Sequence, residues 1–150
     1  MAGTYSNLNF HVVFSTKNRD AIITPELEQE LYPYIAGIIK GEEGILLKIG
    51  GTENHVHLVI RLKPRHVIPD ILKKIKANSS KWINEHKKIN SRFSWQGGYG
   101  IFSVGESQLP RTIEYVGNQK KHHQRVTFKE EFIGFLEKNG IQYDPEHIWR

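Results

Sequence analysis

The spacing of apolar residues along the chain predicts strands and helices in regular alternation. Runs rich in β-branched and aromatic residues, bounded by glycine or polar turn residues, are typical of β-strands. Apolar residues three and four positions apart are typical of amphipathic helices. The predicted strands cover residues 7–16, 45–49, 55–62 and 99–104. The predicted helices cover residues 25–41, 69–88, 111–123 and 127–140.

The first six elements follow the order βαββαβ, which predicts an α+β fold of the ferredoxin-like or RNA-recognition (RRM-like) type. In such a fold two helices cover one face of an antiparallel sheet, and the other face is open or covered by something else. The segment Gly50 to Asn54 is the predicted hairpin turn. Pro33 is expected to kink the first helix. The third helix is an addition to this fold.

The third predicted strand carries two histidines on one face. Side chains alternate along a strand, so His55 and His57 project to the same side, with Val59 and Arg61 after them. The opposite face is apolar and consists of Val56, Leu58, Ile60 and Leu62. The two imidazoles are about 7 Å apart along the strand and can converge on one metal ion. Two histidines on a solvated sheet face are the alternative.

A tyrosine and a glutamine lie four residues apart in the third predicted helix. Tyr115 and Gln119 therefore share one face of that helix. A metal-binding pair together with a phenol suggests phosphodiester chemistry through tyrosine. For the tyrosine alone, a part-buried structural role is the alternative.

Composition limits the possible functions. The 150 residues are expected to form a single domain, 1–150, with a hydrophobic core. The chain has no cysteine, which excludes disulfides, a thiolate nucleophile and cysteine-ligated metal centres. No signal peptide and no membrane-spanning run is recognisable, so a cytoplasmic protein without a membrane partner is expected.

Positive charge is concentrated in one part of the chain. Residues 61–92 hold 10 of the 21 lysine and arginine residues and 2 of the 16 acidic residues. Such a patch favours a polyanionic partner, although a solvated lysine-rich helix face is the alternative. If this polyanion is DNA, the candidate DNA-binding residues are Arg61, Lys63, Arg65, Lys73, Lys74, Lys81, Lys120 and Lys121. Trp95 and Tyr99 could stack on unpaired bases, but a role in the core is expected.

Four segments together resemble the single-tyrosine transposases of the HUH endonuclease superfamily. These enzymes belong to small bacterial insertion sequences, and domesticated relatives occur at repetitive palindromes. The segments are Phe10 to Lys17, Asn54 to His57, Trp95 to Gly100 and Tyr115 to His123.

The resemblance implies a bacterial, DNA-associated enzyme that acts on single-stranded DNA with hairpin ends. It implies that His55, His57 and Gln119 bind a divalent ion, Mg²⁺ or Mn²⁺, and that Tyr115 is the nucleophile. The expected product is a 5′-phosphotyrosine link with a free 3′-hydroxyl.

Two further expectations concern the neighbours of the tyrosine and the assembly. His122 is a candidate base for the phenol, and Asn118 is a second auxiliary candidate. Two strand cleavages need two tyrosines, so a homodimer is expected. The segment 105–109 could let the tyrosine helix complete the partner's histidine pair.

Two alternatives to a transposase remain open at this stage. A nucleic-acid-binding or repressor module on the same fold would bind DNA regardless of Tyr115 and metal. A metal-dependent hydrolase that uses water would not need Tyr115, and only Glu53 and Glu114 lie near the motifs as additional carboxylates.

Overall fold

The computed structural model describes residues 3–149. The strands are β1 (Leu8–Ser15), β2 (Ile45–Thr52), β3 (His55–Leu62) and β4 (Gly100–Val104). The helices are α1 (Pro25–Gly41), α2 (Ile68–Glu85), α3 (Leu109–Gly117), α4 (Gln119–His122) and α5 (Phe128–Lys138). Short 3₁₀ turns cover Lys17–Arg19 and Glu106–Gln108.

The four strands form one antiparallel sheet in the order β2-β3-β1-β4. The two strands at its centre, β1 and β3, are therefore not consecutive in the chain. This is the strand order expected when each βαβ half places its helix on the same face of the sheet. The predicted α+β fold is confirmed.

One face of the sheet packs against α1 and α2 and forms the main core. Alternate residues of β1 and β3 point to this face and are excluded from solvent. Burying a valine, leucine, isoleucine or phenylalanine side chain contributes about 1.5–3 kcal/mol to the free energy of unfolding. The centre of this core consists of Val12, Phe14, Val56, Leu58, Ile60, Leu31, Ile35, Leu72 and Ile75. The predicted apolar face of β3 is confirmed.

The opposite face of the sheet is covered by the C-terminal helices. Val13 packs against aromatic residues of α5, and Val59 packs against α3. His55 and His57 lie on this face, and both are 0% exposed. The alternative of two histidines on a solvated sheet face is therefore wrong, because the C-terminal helices cover this face.

The first helix begins as its capping residues predict. Thr24 Oγ1 accepts a hydrogen bond of 3.1 Å from the Leu27 amide. The helix continues through Pro33, which therefore does not end it. Within residues 3–149 no helix has both the length and the apolar character needed to cross a membrane.

Two element ends differ from the predictions by three residues each, and the other ends that differ do so by one or two residues, apart from the third predicted helix. The second helix ends at Glu85 instead of Lys88, because the backbone enters the left-handed region at Lys87 (φ 48°). The second strand continues to Thr52, because its two glycines pair with β3. The hairpin turn therefore contains only residues 53–54.

The third predicted helix is broken into two. The expected helix over residues 111–123 is wrong, because Asn118 leaves the helical region (φ −104°, ψ 24°) between α3 and α4. The Asn118 amide closes the end of α3 by donating to the carbonyl oxygens of Glu114 and Tyr115. The chain then changes direction, and Gln119 becomes buried.

Gly50 allows α3 to lie directly on the sheet. A Cβ atom at this position would be 2.0 Å from the carbonyl oxygen of Val116. Real Cβ atoms do not approach a backbone oxygen this closely, so any side chain at residue 50 must displace α3. The glycine thus determines how near the Tyr115-bearing helix comes to the histidine strand.

We expect Gly50→Ala to lower the melting temperature by about 3–10 °C, because overpacking of this kind costs about 1–3 kcal/mol. Thermal denaturation followed by circular dichroism measures it. Gly37→Ala in α1 is the control, because a Cβ atom there meets nothing within 4 Å. The control should leave stability unchanged or raise it slightly. Equal melting temperatures for wild type and Gly50→Ala would contradict this account of α3.

Candidate active site

The two histidines of β3 are oriented by contacts at their Nδ1 atoms. His55 Nδ1 lies 2.7 Å from Asn54 Oδ1 and 3.0 Å from Thr52 Oγ1. His57 Nδ1 lies 2.8 Å from His11 Nε2. Fixing one nitrogen of an imidazole orients the other. In both residues Nε2 faces the space beneath the C-terminal helices.

Burial keeps these imidazoles unprotonated. It lowers the pKa of His55 to about 3, and the neighbouring His57 contributes less to that shift. Burial followed by the proximity of His57 likewise lowers the pKa of His11 to about 3. The pKa of His57 itself is also lowered by burial. Neutral imidazole has the lone pair that a metal ligand needs.

Gln119 lies beside the histidine pair, where the resemblance requires a third ligand. Its Oε1 atom is 3.1 Å from His55 Nε2. Its Nε2 donates a hydrogen bond of 3.4 Å to the Tyr115 carbonyl oxygen, which orients the amide. When His55 donates its Nδ1 proton to Asn54, two lone pairs face each other at this distance. A shared cation would hold such a pair of acceptors together.

Tyr115 reaches the same cluster from α3. Its hydroxyl donates a hydrogen bond to the Glu131 carboxylate and lies 3.2 Å from His122 Nε2. Its ring is 5.9 Å from the His57 ring, centroid to centroid, in an edge-on arrangement. Burial and the adjacent Glu131 carboxylate raise the pKa of the Tyr115 phenol. The phenol is therefore protonated at neutral pH and needs a proton acceptor before it can act as a nucleophile.

Two residues of the cluster were not identified from the sequence. Glu131 of α5 and His123 lie with the histidine pair, and the ligand atoms of His55, His57, His123 and Glu131 are all within 4.8 Å of one another. Burial alone would raise the pKa of Glu131, but hydrogen bonds from His123 and His57 hold that pKa below its usual range. Metal–ligand bonds of about 2 Å place ligands of one ion about 3–4 Å apart, and Glu131 Oε1 lies 2.9 Å, 3.1 Å and 3.6 Å from the Nε2 atoms of His57, His123 and His55. The cluster therefore fits a divalent ion.

One feature of the sequence could have identified Glu131. The capping box at Thr127 defines where α5 begins. Glu131 then follows Phe128 by three positions and precedes Phe135 by four, on the apolar stripe of that helix. A carboxylate on a buried helix face needs a partner. His123 offered no comparable feature.

Two cavities meet at Tyr115. One, of about 670 Å³, opens to solvent past Arg111, Lys121 and Arg125. The other, of about 370 Å³, extends between α3 and α5 along Phe135. The tyrosine can thus be reached from outside through an entrance with three basic side chains. Of these, Lys121 is among the DNA-binding residues predicted from the sequence.

The predicted DNA-binding residues are dispersed over the surface. Those of α2 lie on the layer opposite Tyr115, because α2 packs on the other face of the sheet. Most make ion pairs with acidic residues. These pairs are Arg61 with Glu106, Lys63 and Arg65 with Glu43, Lys74 with Glu42, Lys81 with Glu85, and Lys120 with Glu28. Among residues 3–149, Lys73 and Lys121 have no ion-pair partner within 4 Å.

The aromatic residues before β4, Trp95 and Tyr99, pack in or against the main hydrophobic core. Trp95 is 8% exposed, and its indole nitrogen donates a hydrogen bond of 2.9 Å to Ser79 Oγ. Its ring packs edge-on against Phe14 and Phe93. Tyr99 packs against the same core. The expected structural role is confirmed for Trp95, and base stacking by this residue is excluded in this conformation.

Comparisons with known proteins identify related transposases. The family model of IS200-like transposases matches residues 4–119. The ISDra2 transposase TnpA of Deinococcus radiodurans is 24% identical over 124 residues, which are 78% of this chain and 87% of that protein. A transposase crystal structure from Deinococcus radiodurans R1 has a TM-score of 0.64 at 25% identity, covering 78% of this chain and 96% of the other.

A further solved structure shares the fold. The REP-associated tyrosine transposase, bound to a REP hairpin, has a TM-score of 0.63 at 12% identity, covering 84% of this chain and 74% of the other. Identity this low shows the fold alone. The family match, in contrast, includes the histidine strand and the tyrosine helix and ends at residue 119. It covers most of the chain, and the protein therefore belongs to the IS200-like transposase family.

Proposed function

We propose that this transposase cleaves and rejoins single-stranded DNA beside a hairpin, with Tyr115 as the nucleophile. The observation that carries the proposal is the convergence of the phenol, the histidine pair and Gln119 within one chain. Gln119 Oε1 lies 3.1 Å from His55 Nε2, and Gln119 Nε2 donates a hydrogen bond to the Tyr115 carbonyl oxygen. A catalytic group held beside its electrostatic partners gains reactivity through orientation.

The proposed cleavage exchanges one phosphoester bond for another. The Tyr115 oxygen forms a bond to the scissile phosphorus, and the bond from phosphorus to the 3′ oxygen breaks. The phenolic proton is lost to a neighbouring base, and the departing 3′ oxygen takes up a proton. The products are a 5′-phosphotyrosine and a free 3′-hydroxyl. The phosphoester link is conserved, so attack by a 3′-hydroxyl rejoins DNA without ATP.

We propose His55, His57 and Gln119 as ligands of a divalent ion, Mg²⁺ or Mn²⁺. When bound, such an ion supplies positive charge that polarises the scissile phosphate. Imidazole ligands suit Mn²⁺ better than Mg²⁺. His11 holds the ring of His57, while Asn54 and Thr52 hold that of His55.

His122 is the proposed acceptor of the phenolic proton: its Nε2 lies 3.2 Å from the Tyr115 hydroxyl, and the hydroxyl would turn its proton from Glu131 to this nitrogen before the attack. We expect His122→Ala to slow single-turnover cleavage about 10²–10⁴-fold without weakening oligonucleotide binding. His147→Ala is the control, because His147 is half-exposed and paired with Asp144. Normal cleavage by His122→Ala would exclude this role. Asn118 is exposed at the break between α3 and α4, and its auxiliary role remains a proposal.

The proposed DNA path follows the basic entrance to Tyr115. Arg111, Lys121 and Arg125 line this cavity and can contact the phosphates beside the scissile bond. The α2 lysines face away from the cavity, and their proposed contacts would be with a more distant part of the DNA. The hairpin bound to the REP-associated tyrosine transposase, a protein of the same fold, supports a hairpin partner.

A homodimer remains part of the proposal, because two cleavages need two nucleophiles. Tyr115 and the histidine pair lie together in one chain here, which supports assembly of the site in cis. The predicted linker is partly ordered, since Glu106–Gln108 forms a 3₁₀ turn after Gly105.

Labelled single-stranded oligonucleotides from both flanks of the gene test the proposal. The protein is incubated with them in Mn²⁺ or Mg²⁺, and a denaturing gel shows any covalent protein–DNA band. Such a band, dependent on the ion, is expected. Binding of oligonucleotides without a band would support the binding-module alternative. Cleavage without a band would support a hydrolase.

A further inference from the structure

We propose that Glu131 is an additional ligand of the divalent ion, so that α5 completes the metal site formed by β3 and α4. This inference rests on the proposed function, because it concerns the same site. Glu131 lies beyond residue 119, where the family match ends. The inference therefore depends on this chain's own geometry.

The position of the carboxylate carries the inference. Glu131 Oε1 lies 2.9 Å from His57 Nε2, 3.1 Å from His123 Nε2 and 3.6 Å from His55 Nε2. One oxygen atom thus faces three imidazole nitrogens at separations typical of ligands that share one ion. The other oxygen accepts the hydrogen bond from the Tyr115 hydroxyl. The carboxylate therefore links the metal site to the nucleophile.

The burial of Glu131 also calls for a cation. Its side chain is 2% exposed, and those of His55 and His57 are 0% exposed. A buried carboxylate is costly unless hydrogen bonds and positive charge compensate it, and Glu131 has the hydrogen bonds, with His57, His123 and Tyr115. No lysine or arginine within residues 3–149 forms an ion pair with Glu131. A divalent ion among the imidazoles would supply the missing charge.

Helix α5 holds the carboxylate rigidly in this position. Its start is defined by the capping box, in which Thr127 Oγ1 accepts from the Glu130 amide at 3.2 Å. The ring of Phe128 lies 4.5 Å from that of His55, and the ring of Phe135 lies 5.0 Å from that of His11. Glu131 lies between these two contacts on the same face. Preorganised ligands bind a metal without a large ordering cost.

A carboxylate would change the properties of the site. His55, His57 and Gln119 are neutral ligands, so together they leave the full charge on the ion. An anionic oxygen strengthens binding and favours oxygen-preferring ions such as Mn²⁺ and Mg²⁺ over softer ones. The expected consequence is a higher affinity for Mn²⁺ than the three neutral ligands would provide.

Titration with Mn²⁺ alone, followed by the electron paramagnetic resonance signal of the free ion, tests the inference. We expect Glu131→Gln to raise the Kd for Mn²⁺ about 10–100-fold. Glu130→Gln is the matched control, because residue 130 is exposed and glutamine also forms a capping box. Its Kd should equal that of wild type. A wild-type Kd for Glu131→Gln would overturn the inference.

Three further measurements keep the test decisive. Glu131→Asp serves as a second variant in case Glu131→Gln does not fold. It retains the negative charge on a shorter side chain, so its Kd for Mn²⁺ should lie between that of wild type and the value expected for Glu131→Gln. Adduct formation by Glu131→Gln should be recovered at high Mn²⁺, which a purely structural role would not allow. Tyr115→Phe should bind Mn²⁺ as wild type does. Wild-type protein that binds Mn²⁺ through Glu131 but forms no adduct would refute only the proposed function.

Discussion

Tyr115→Phe is expected to abolish the covalent protein–DNA band, reducing adduct formation by at least about a thousandfold. The substitution removes one oxygen atom, and that atom is the proposed nucleophile. The ring retains its packing against His11 and Phe135. Folding and oligonucleotide binding should therefore remain close to wild type. Single-turnover reactions on a labelled oligonucleotide, read on a denaturing gel, measure the effect.

Tyr5→Phe is the control for this substitution, because Tyr5 is 97% exposed and distant in sequence from the active-site segments. It should form the adduct at the wild-type rate. An adduct that persists in Tyr115→Phe would show that another residue is the nucleophile. Oligonucleotide cleavage that continues without an adduct would instead favour the hydrolase alternative.

His57→Ala is expected to remove both metal binding and cleavage, each by at least about a hundredfold. His57 is completely buried at the centre of the cluster, between His11 and Glu131. Its loss would remove the nearest of the imidazole nitrogens that surround the Glu131 carboxylate. The measurements are the Kd for Mn²⁺ and the yield of adduct at saturating Mn²⁺.

His86→Ala is the control for this second substitution, because His86 is exposed at the end of α2. Thermal denaturation must accompany the experiment, since removing a buried ring costs about 2–4 kcal/mol in packing alone. A folded His57→Ala protein that still binds Mn²⁺ and forms the adduct would contradict the proposed site. DNA binding that is unchanged in both Tyr115→Phe and His57→Ala, with no adduct in wild type, would identify a binding module.

The fold was predictable from the sequence because its patterns are local. Strand β3 alternates apolar and polar residues with the period of an extended chain, so the apolar face was assigned correctly. The capping residues at Thr24 and Thr127 defined where two helices begin. The order of the elements then left few topologies to consider.

The break at Asn118 was not predictable in the same way. A helix from residue 111 to 123 satisfies the local preferences of its residues. Contacts of α3 with the sheet, at Gly50 and Val116, compete with that continuous helix. Tertiary packing overrides intrinsic helix propensity, which contributes less than about 1 kcal/mol per residue.

The sequence by itself determined the fold class and the face of β3 that carries the histidines. These features follow from backbone geometry, which repeats every two residues in a strand and about every 3.6 in a helix. Only the tertiary structure decided that α5 covers the histidines and that Glu131 enters the cluster. Glu131 is 74 residues from His57 in the chain, and no local period connects them. Long-range packing of apolar helix faces on the sheet is the physical cause that brings these two residues together.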